Sequence, residues 1–325
     1  MRSFRLLLLH SLSFVILLSD FVHAQTLIDA LDGYPALSEF KSLLERNPNL
    51  VPLLTTEDIS NSSSPNRLTV LVPSNTAFAA YRDMHDPDIA GLPSTELQAV
   101  LQYHILTTDT PAIDLVTASP QRRVIPTELR QEQYNNRTGG AELEKSSSGA
   151  GSGDGQVVIF NTMEENENDR KRQITGKLEV LSGLYKSVNL TILDGVWARG
   201  LFQMVDGFLT LPETCTSTMK TQSLTSLDRA LVRANLGSTL DHLPNVTCIG
   251  PTNEAFEEAG GPDETASAEE LTDALTFHTL TEPVYTNFLR DGQIFTTVSN
   301  DTVRVTVNDT GIYFNDAKLV KRNVI

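Results

Sequence analysis

LTVLVPSNTAF, Leu68 to Phe78, and NVTCIGPTNEAF, Asn245 to Phe256, are two versions of one pattern, with their prolines Pro73 and Pro251 lying 178 residues apart. Each has an apolar run of strand type, a proline that cannot continue a central ladder, a polar pair suited to helix capping, and Ala-Phe opening a helical pattern. The spacing predicts a buried strand that turns sharply into a helix, twice. An internal repeat at this distance sets the domain count before any other reading. The chain of 325 residues is long enough for two domains, each with its own core.

A second echo follows the first. Leu101-Gln-Tyr103-His104-Ile-Leu106 answers Leu275-Thr-Phe277-His278-Thr-Leu280, with His104 26 residues past Phe78 and His278 22 past Phe256. A third element, Leu201-Phe-Gln203-Met-Val-Asp206-Gly207-Phe-Leu209, occurs once. In this order the three resemble the fasciclin-like (FAS1) family, whose domains carry a strand-Pro-Thr-Asn-x-Ala-Phe box, a Tyr-His box and a closing box of the type His-Val-Ile-Asp-Gly-Val-Leu. Gln203 stands where the family usually has histidine.

The resemblance covers most of the chain after residue 25. It implies an α+β fold of two FAS1 domains, each a wedge-like antiparallel β-sandwich with several helices along one side. The motif residues are then structural: Pro73, Asn75, Phe78, Tyr103, His104, Asp206 and Gly207 in the first repeat, and Pro251, Asn253, Phe256 and His278 in the second. Asp206-Gly207 reads as a turn in which the aspartate caps backbone and the glycine takes a positive φ.

Working outward from the boxes, Leu27 to Leu54 has the spacing of two short helices broken at Gly33-Tyr-Pro35, packed on the first sheet. Ser94 starts the helix that carries Leu97, Val100 and Leu101 toward His104, and Ser267-x-x-Glu270 is a capping box before the matching helix of repeat two. Thr302 to Val307 and Val188 to Ile192 alternate as half-buried strands do. The first domain is expected over 25–212, with a flexible insertion at about 126–176 that holds the Ser146 to Gly155 run and Arg170-Lys-Arg172. The second is expected over 213–325. Gly183-Leu-Tyr185 through Val196-Trp197 aligns without a gap to Gly311-Ile-Tyr313 through Val324-Ile325. Repeat two stops there with no closing box, so an unpaired ladder edge and a longer product are expected.

Met1 to Ala24 has two arginines, an apolar block over Leu6 to Leu18 and Val22-His-Ala24 before Gln25, the layout of a secretory signal peptide. Lys and Arg number 25 against 41 Asp and Glu, a net charge of −16, which makes nucleic acid and anionic membrane surfaces poor partners. Six sequons follow the leader, at Asn61, Asn136, Asn189, Asn245, Asn300 and Asn308. The two cysteines, Cys215 and Cys248, are expected to pair, an even count in an oxidising compartment. A bridge closing that loop would contribute roughly 3 to 4 kcal/mol by the chain-entropy model. Two buried thiols are the alternative.

Ser74, His104 and Asp194 can be written as a triad, but repeat two has Thr252 for Ser74, and no Gly-x-Ser-x-Gly elbow occurs. There is no His-x-x-x-His, Cys-x-x-Cys or EF-hand pattern, so no metal or other cofactor is expected. The two recurring histidines read as half-buried residues bonded to backbone. The resemblance therefore implies a non-catalytic secreted or cell-surface glycoprotein. Its partners would be other extracellular or surface proteins or wall and matrix polysaccharides, and it would be held at a membrane only by an anchor outside this chain. The alternative is a vacuolar, lumenal protein acting in membrane fusion or trafficking.

Overall fold

The computed structural model describes residues 25–54, 67–108, 110–111, 123–134, 155–162 and 178–325. The leader, Asn61, Asn136, residues 146–154 of the glycine-serine run and Arg170 to Arg172 lie outside them.

In the first repeat, α1 (Leu27–Leu31) and α2 (Ser38–Arg46) precede β1 (Leu68–Pro73), α3 (Asn75–Met84), α4 (Ser94–Tyr103) and β2 (Ile105–Leu106). Then come β3 (Arg123–Pro126), β4 (Val157–Thr162), β5 (Leu178–Leu181), β6 (Ser187–Trp197) and β7 (Gly200–Val205). They form one sheet in the order β2-β1-β7-β6-β5-β4-β3. All neighbours are antiparallel except β1 and β7, which run parallel from Leu68 opposite Gly200 to Pro73 opposite Val205. A bridge between Leu106 and Thr127 ties the two ends of the sheet together, so the sheet curls round on itself.

Every residue of β1 is buried, because the period-2 alternation of a strand sends its side chains to two cores. Val70, Val72 and Phe202 face the helices and pack with Leu31, Phe40, Phe78 and Leu97. Leu71 faces the interior of the curled sheet with Tyr103, Leu106, Ile125, Val158 and Val205. That is why the run reads as continuously apolar. Pro73 ends it where a ladder donor is no longer required, and the Ser74 amide bonds to the Val205 carbonyl instead. The β6–β7 turn brings Gly200 against Leu68, with φ at +147° and a Cβ that would lie 2.0 Å from the Leu68 carbonyl oxygen. Any side chain there would push β7 off β1.

The expected insertion is not featureless. Thr127 and Leu129 are fully buried at its start, and β4 is an interior strand of the sheet. The largely apolar Gln156-Val-Val-Ile-Phe160 inside it reads as a strand in the sequence, and β4 occupies it; the buried Thr127 and Leu129 are what a loop reading of the stretch misses.

Repeat two has α5 (Cys215–Thr221), α6 (Thr225–Ala234), α7 (Gly237–His242), β8 (Thr247–Cys248), α8 (Asn253–Glu258), α9 (Pro262–Thr265) and α10 (Ala268–Phe277). These are followed by β9 (Thr279–Leu280), β10 (Ile294–Thr296), β11 (Thr302–Asn308), β12 (Gly311–Phe314) and β13 (Ala317–Lys318). The predicted capping box is present at Ser267 and Glu270. The sheet, however, is in two pieces, β8-β9 and β10-β11-β12-β13, joined by a bridge from Leu280 to Thr297.

The strand pairings correct the gap-free alignment of the two ends. Gly183–Tyr185 is a 3-10 turn after β5, whereas Gly311–Phe314 is itself a strand. Leu181 pairs with Ile159 and Ser187, and Phe314 pairs with Val305 and Ala317. Phe314 thus takes the place of Leu181, and Ala317 that of Ser187. Identical Gly-x-Tyr triplets misled the alignment because the β5–β6 connection is longer than the two-residue β12–β13 turn.

The repeats are packed together. Val124, Val157, Ile159 and Leu181 on the outer face of the first sheet meet Tyr285 and Ile325 of the second repeat. Lys321 Nζ sits 4.0 Å over the Tyr185 ring, and the Gln222 side chain donates to the Leu184 carbonyl at 3.3 Å.

Gln203 is fully buried in β7. Its Oε1 accepts from the amides of Leu193 at 2.8 Å and Asp194 at 3.0 Å. It thereby closes the irregularity in β6 between Thr191 and Gly195. Gln203→Leu leaves both amides unsatisfied and should cost about 2 to 4 kcal/mol, whereas Gln203→His retains an acceptor and should cost less. Urea unfolding followed through Trp197, the single tryptophan, checks the order. Equal losses would contradict it.

Candidate functional site

The candidate residues converge on the place where strand, helix and closing box meet. Ser74 caps α3 by accepting from the Ala77 amide at 3.2 Å, and Thr252 does the same for α8 through Ala255 at 3.2 Å. The next residue is asparagine in both because the position requires an acceptor and a donor together. Asn75 Oδ1 accepts from the Glu39 amide at 3.0 Å, while its Nδ2 donates to the Pro35 carbonyl at 3.0 Å. Asn253 repeats this with the Ser226 amide and the Ser223 carbonyl, both at 3.0 Å. Each box asparagine fastens the N-terminus of a preceding helix to the strand–helix corner.

Phe78 and Phe256 are buried beneath that corner. Phe208 of the closing box lies edge-on to Phe78 at 4.9 Å, to Tyr81 at 5.2 Å and to His104 at 5.7 Å. Tyr103 is fully buried, and its hydroxyl donates to the Val157 carbonyl at 2.9 Å. Asp206 accepts from the Asn189 amide and from Asn189 Nδ2, both at 2.7 Å, which fastens β6 to the end of β7. Gly207 differs from expectation: its φ is not positive. A Cβ there would lie 2.8 Å from Val188 Cγ1, so close approach is what selects glycine.

His104 is buried and neutral. Its Nδ1 donates to the Val100 carbonyl at 2.7 Å, and its Nε2 accepts from the Leu209 amide at 3.1 Å. Burial pushes its pKa down from 6.5 to about 4, against a smaller upward pull from the Val100 carbonyl. Both ring nitrogens are engaged with backbone. Ser74 is occupied as a cap, and Asp194 receives the Gln203 amide. The three residues of the possible triad therefore serve three separate structural purposes.

His278 makes the matching helical bond, Nδ1 to the Ala274 carbonyl at 2.7 Å. It is only half-buried, and among the described residues there is no counterpart of Leu209 to meet its Nε2.

Thr69 and Thr247 escaped the sequence reading. Thr69 Oγ1 donates to the Thr108 carbonyl and accepts from the Thr110 amide. Thr247 does the same with Glu282 and Val284. A threonine four residues before each box proline was the available signal.

Cys215 opens α5 and Cys248 lies in β8. Both are half-buried and lie against one apolar cluster with Met219 and Leu227. Asn189, Asn300 and Asn308 are exposed, and Asn245 is half-buried.

A family model described as the Fasciclin domain matches residues 35–163 and 222–325. The chain belongs to the fasciclin domain family. It is similar to the fasciclin-like arabinogalactan protein of Arthroderma benhamiae, 25% identical over 316 residues that cover 96% of this chain and 66% of that protein. It is also similar to the fasciclin-like arabinogalactan protein elcF of Phaeosphaeria nodorum, 24% identical over 76% of this chain and 66% of the relative. The chain thus spans just under two thirds of the length of these curated relatives. Among solved structures it matches a FAS1 domain pair from the insect cell adhesion molecule Fasciclin I, with 14% identity, coverage of 87% and 89%, and a TM-score of 0.38.

The fasciclin histidine gives a pH test. Because burial lowers the folded pKa of His104, the unfolded chain takes up the proton first as pH falls. The stability is therefore fully present above about 6.5 and declines from there down to about 4. The loss should reach about 3 kcal/mol over that window. Denaturation midpoints at pH 7 and pH 5 should differ in the wild type and converge in His104→Gln. An unchanged pH slope in that variant would contradict the assignment.

Proposed function

We propose that this fasciclin-family chain is part of a secreted or cell-surface, N-glycosylated adhesion protein that holds surface proteins or wall polysaccharides through surface contacts and not through chemistry. One observation supports this reading above the others. The polar residues of the boxes, Ser74, Asn75, His104, Asp206 and Asn253, all bond to the chain's own backbone. The motif that recurs is thus a means of rigidity. The names of the fungal relatives and the family membership agree with a wall or surface setting. Among the described residues no helix is long and apolar enough to cross a membrane.

Two repeats in contact through one apolar cluster present several loops together, which suits weak contacts made several at a time. The net charge of −16 favours neutral polysaccharides or basic protein faces over polyanions. Asn300, in the β10–β11 connection, and Asn308, at the tip of the β11–β12 hairpin, stand where glycans would project into solvent.

The glycosylated chain, displayed on beads, should retain surface proteins or wall polysaccharide, and a tagged form should be found at the cell surface or in the medium. Beads that retain neither, or a tag confined to a vacuolar rim, would overturn the reading.

A further inference from the structure

A depression of about 460 Å³ lies at the strand–helix corner of the first repeat, walled by Ala36, Ser74, Thr76, Thr191, Met204 and Asp206. We propose that Asn189 carries an N-linked glycan whose first sugar, an N-acetylhexosamine, is seated in this depression as part of the folded domain. The inference rests on the secretory part of the reading above. It goes beyond that reading, from glycans that project into solvent to one that packs.

Strand geometry places the asparagine beside the depression. Asn189-Leu190-Thr191 is a sequon within β6, and residues two apart on a strand point to the same face. Asn189 and Thr191 are exposed, with Leu190 buried between them. Thr191 pairs with Met204 of β7, which pairs in turn with Val72 of β1, so this face is the one that carries the helices. The helical layer reaches the depression with Ala36 and the start of α3, and the surface of β6 beyond them is open. A group attached to the Asn189 side chain thus has the depression about 7 Å away along its own strand.

Asp206 fixes the direction. Its two carboxylate oxygens accept from the Asn189 backbone amide and from Asn189 Nδ2, both at 2.7 Å. A side-chain amide nitrogen has two protons to give. The co-reactant of the linkage step is a lipid-diphosphate-linked oligosaccharide. The Asn189 nitrogen bonds to the anomeric carbon, the bond from that carbon to the phosphate oxygen breaks, the lipid diphosphate leaves with the electron pair, and the amide loses one proton. The second proton remains for Asp206. The bond that fastens β6 to the end of β7 therefore survives the modification and holds the linkage against the wall.

The walls suit a neutral sugar. Met204 and Ala36 offer an apolar side to the ring C–H groups and the acetyl methyl group. Ser74 and Thr76, joined by a hydroxyl bond of 2.7 Å, and Thr191 offer oxygens to the sugar hydroxyls. The volume falls in the range of roughly 300 to 1,000 Å³ usual for small-molecule sites. The Asp206 carboxylate at the rim disfavours phosphate and acidic sugars.

The test uses the full chain from a secreting eukaryotic host, trimmed with an endoglycosidase that leaves one sugar at each occupied site. Glycopeptide mass spectrometry should find that sugar on Asn189. In a methyl-labelled sample its acetyl methyl should show a nuclear Overhauser contact to the Met204 methyl. Thr191→Ala abolishes the sequon with Asn189 and Asp206 in place, and should speed exchange of the Asn189 amide about tenfold. Thr191→Ser, which retains the sequon, should not. An occupied Asn189 whose acetyl group makes no contact with Met204 overturns the proposal, as do equal exchange rates in the two variants, or sugar on Asn300 or Asn308 but not on Asn189. A chain with sugar at none of its sequons overturns it together with the N-glycosylated part of the adhesion reading. Loss of adhesion with the Met204 contact intact contradicts only that reading.

Discussion

The structure depends on one strand being placed between two others. β7 lies parallel to β1 and antiparallel to β6, and it is inserted last in sequence into the middle of the sheet. Its arrival completes both cores of the first repeat, because Phe202 faces the helices and Val205 the sheet interior. It also brings Leu209 to His104 and Asp206 to Asn189. A parallel neighbour requires a long crossover, and here the crossover is nearly the whole domain. Non-local pairing of this kind makes the repeat a single cooperative unit rather than a chain of local elements.

The second repeat reads as the same design with that strand absent from the described residues. The Thr247 network, the Asn253 buttress, the capping box and the His278 helical bond all form as in the first repeat. These are local or adjacent interactions and do not need the closing strand. What differs is what the strand would touch. The sheet divides, β8 is shorter and half-exposed, and the residues after β13 leave the ladder. The box chemistry therefore specifies the corner of each domain, while the closing box specifies its completion.

Much of this was legible in the residues. The strand–Pro–cap–helix corner, the two helices of Leu27 to Leu54 and the second capping box rest on local rules, and the structure follows them. The capping role of Ser74 and the structural role of His104 could be reasoned from type and setting. Less legible was anything set by distant packing. Gly207 reads as a turn glycine, yet contact with Val188 selects it. Gly311-Ile-Tyr313 copies Gly183-Leu-Tyr185 in letters but is a strand, because strand identity is decided by partners. Gln203 looked like a departure from the family, whereas an amide side chain serves the β6 irregularity as a hydrogen-bonding acceptor and donor.

β7 locks β1, whereas among the described residues β8 has no such neighbour. Native-state hydrogen exchange on the chain alone tests it most directly, amide by amide. The amides of Leu68 to Val72 should exchange only with unfolding of the whole first repeat, while those of Thr247 to Ile249 exchange through local opening and orders of magnitude faster. Equal protection of the two strands would contradict the account.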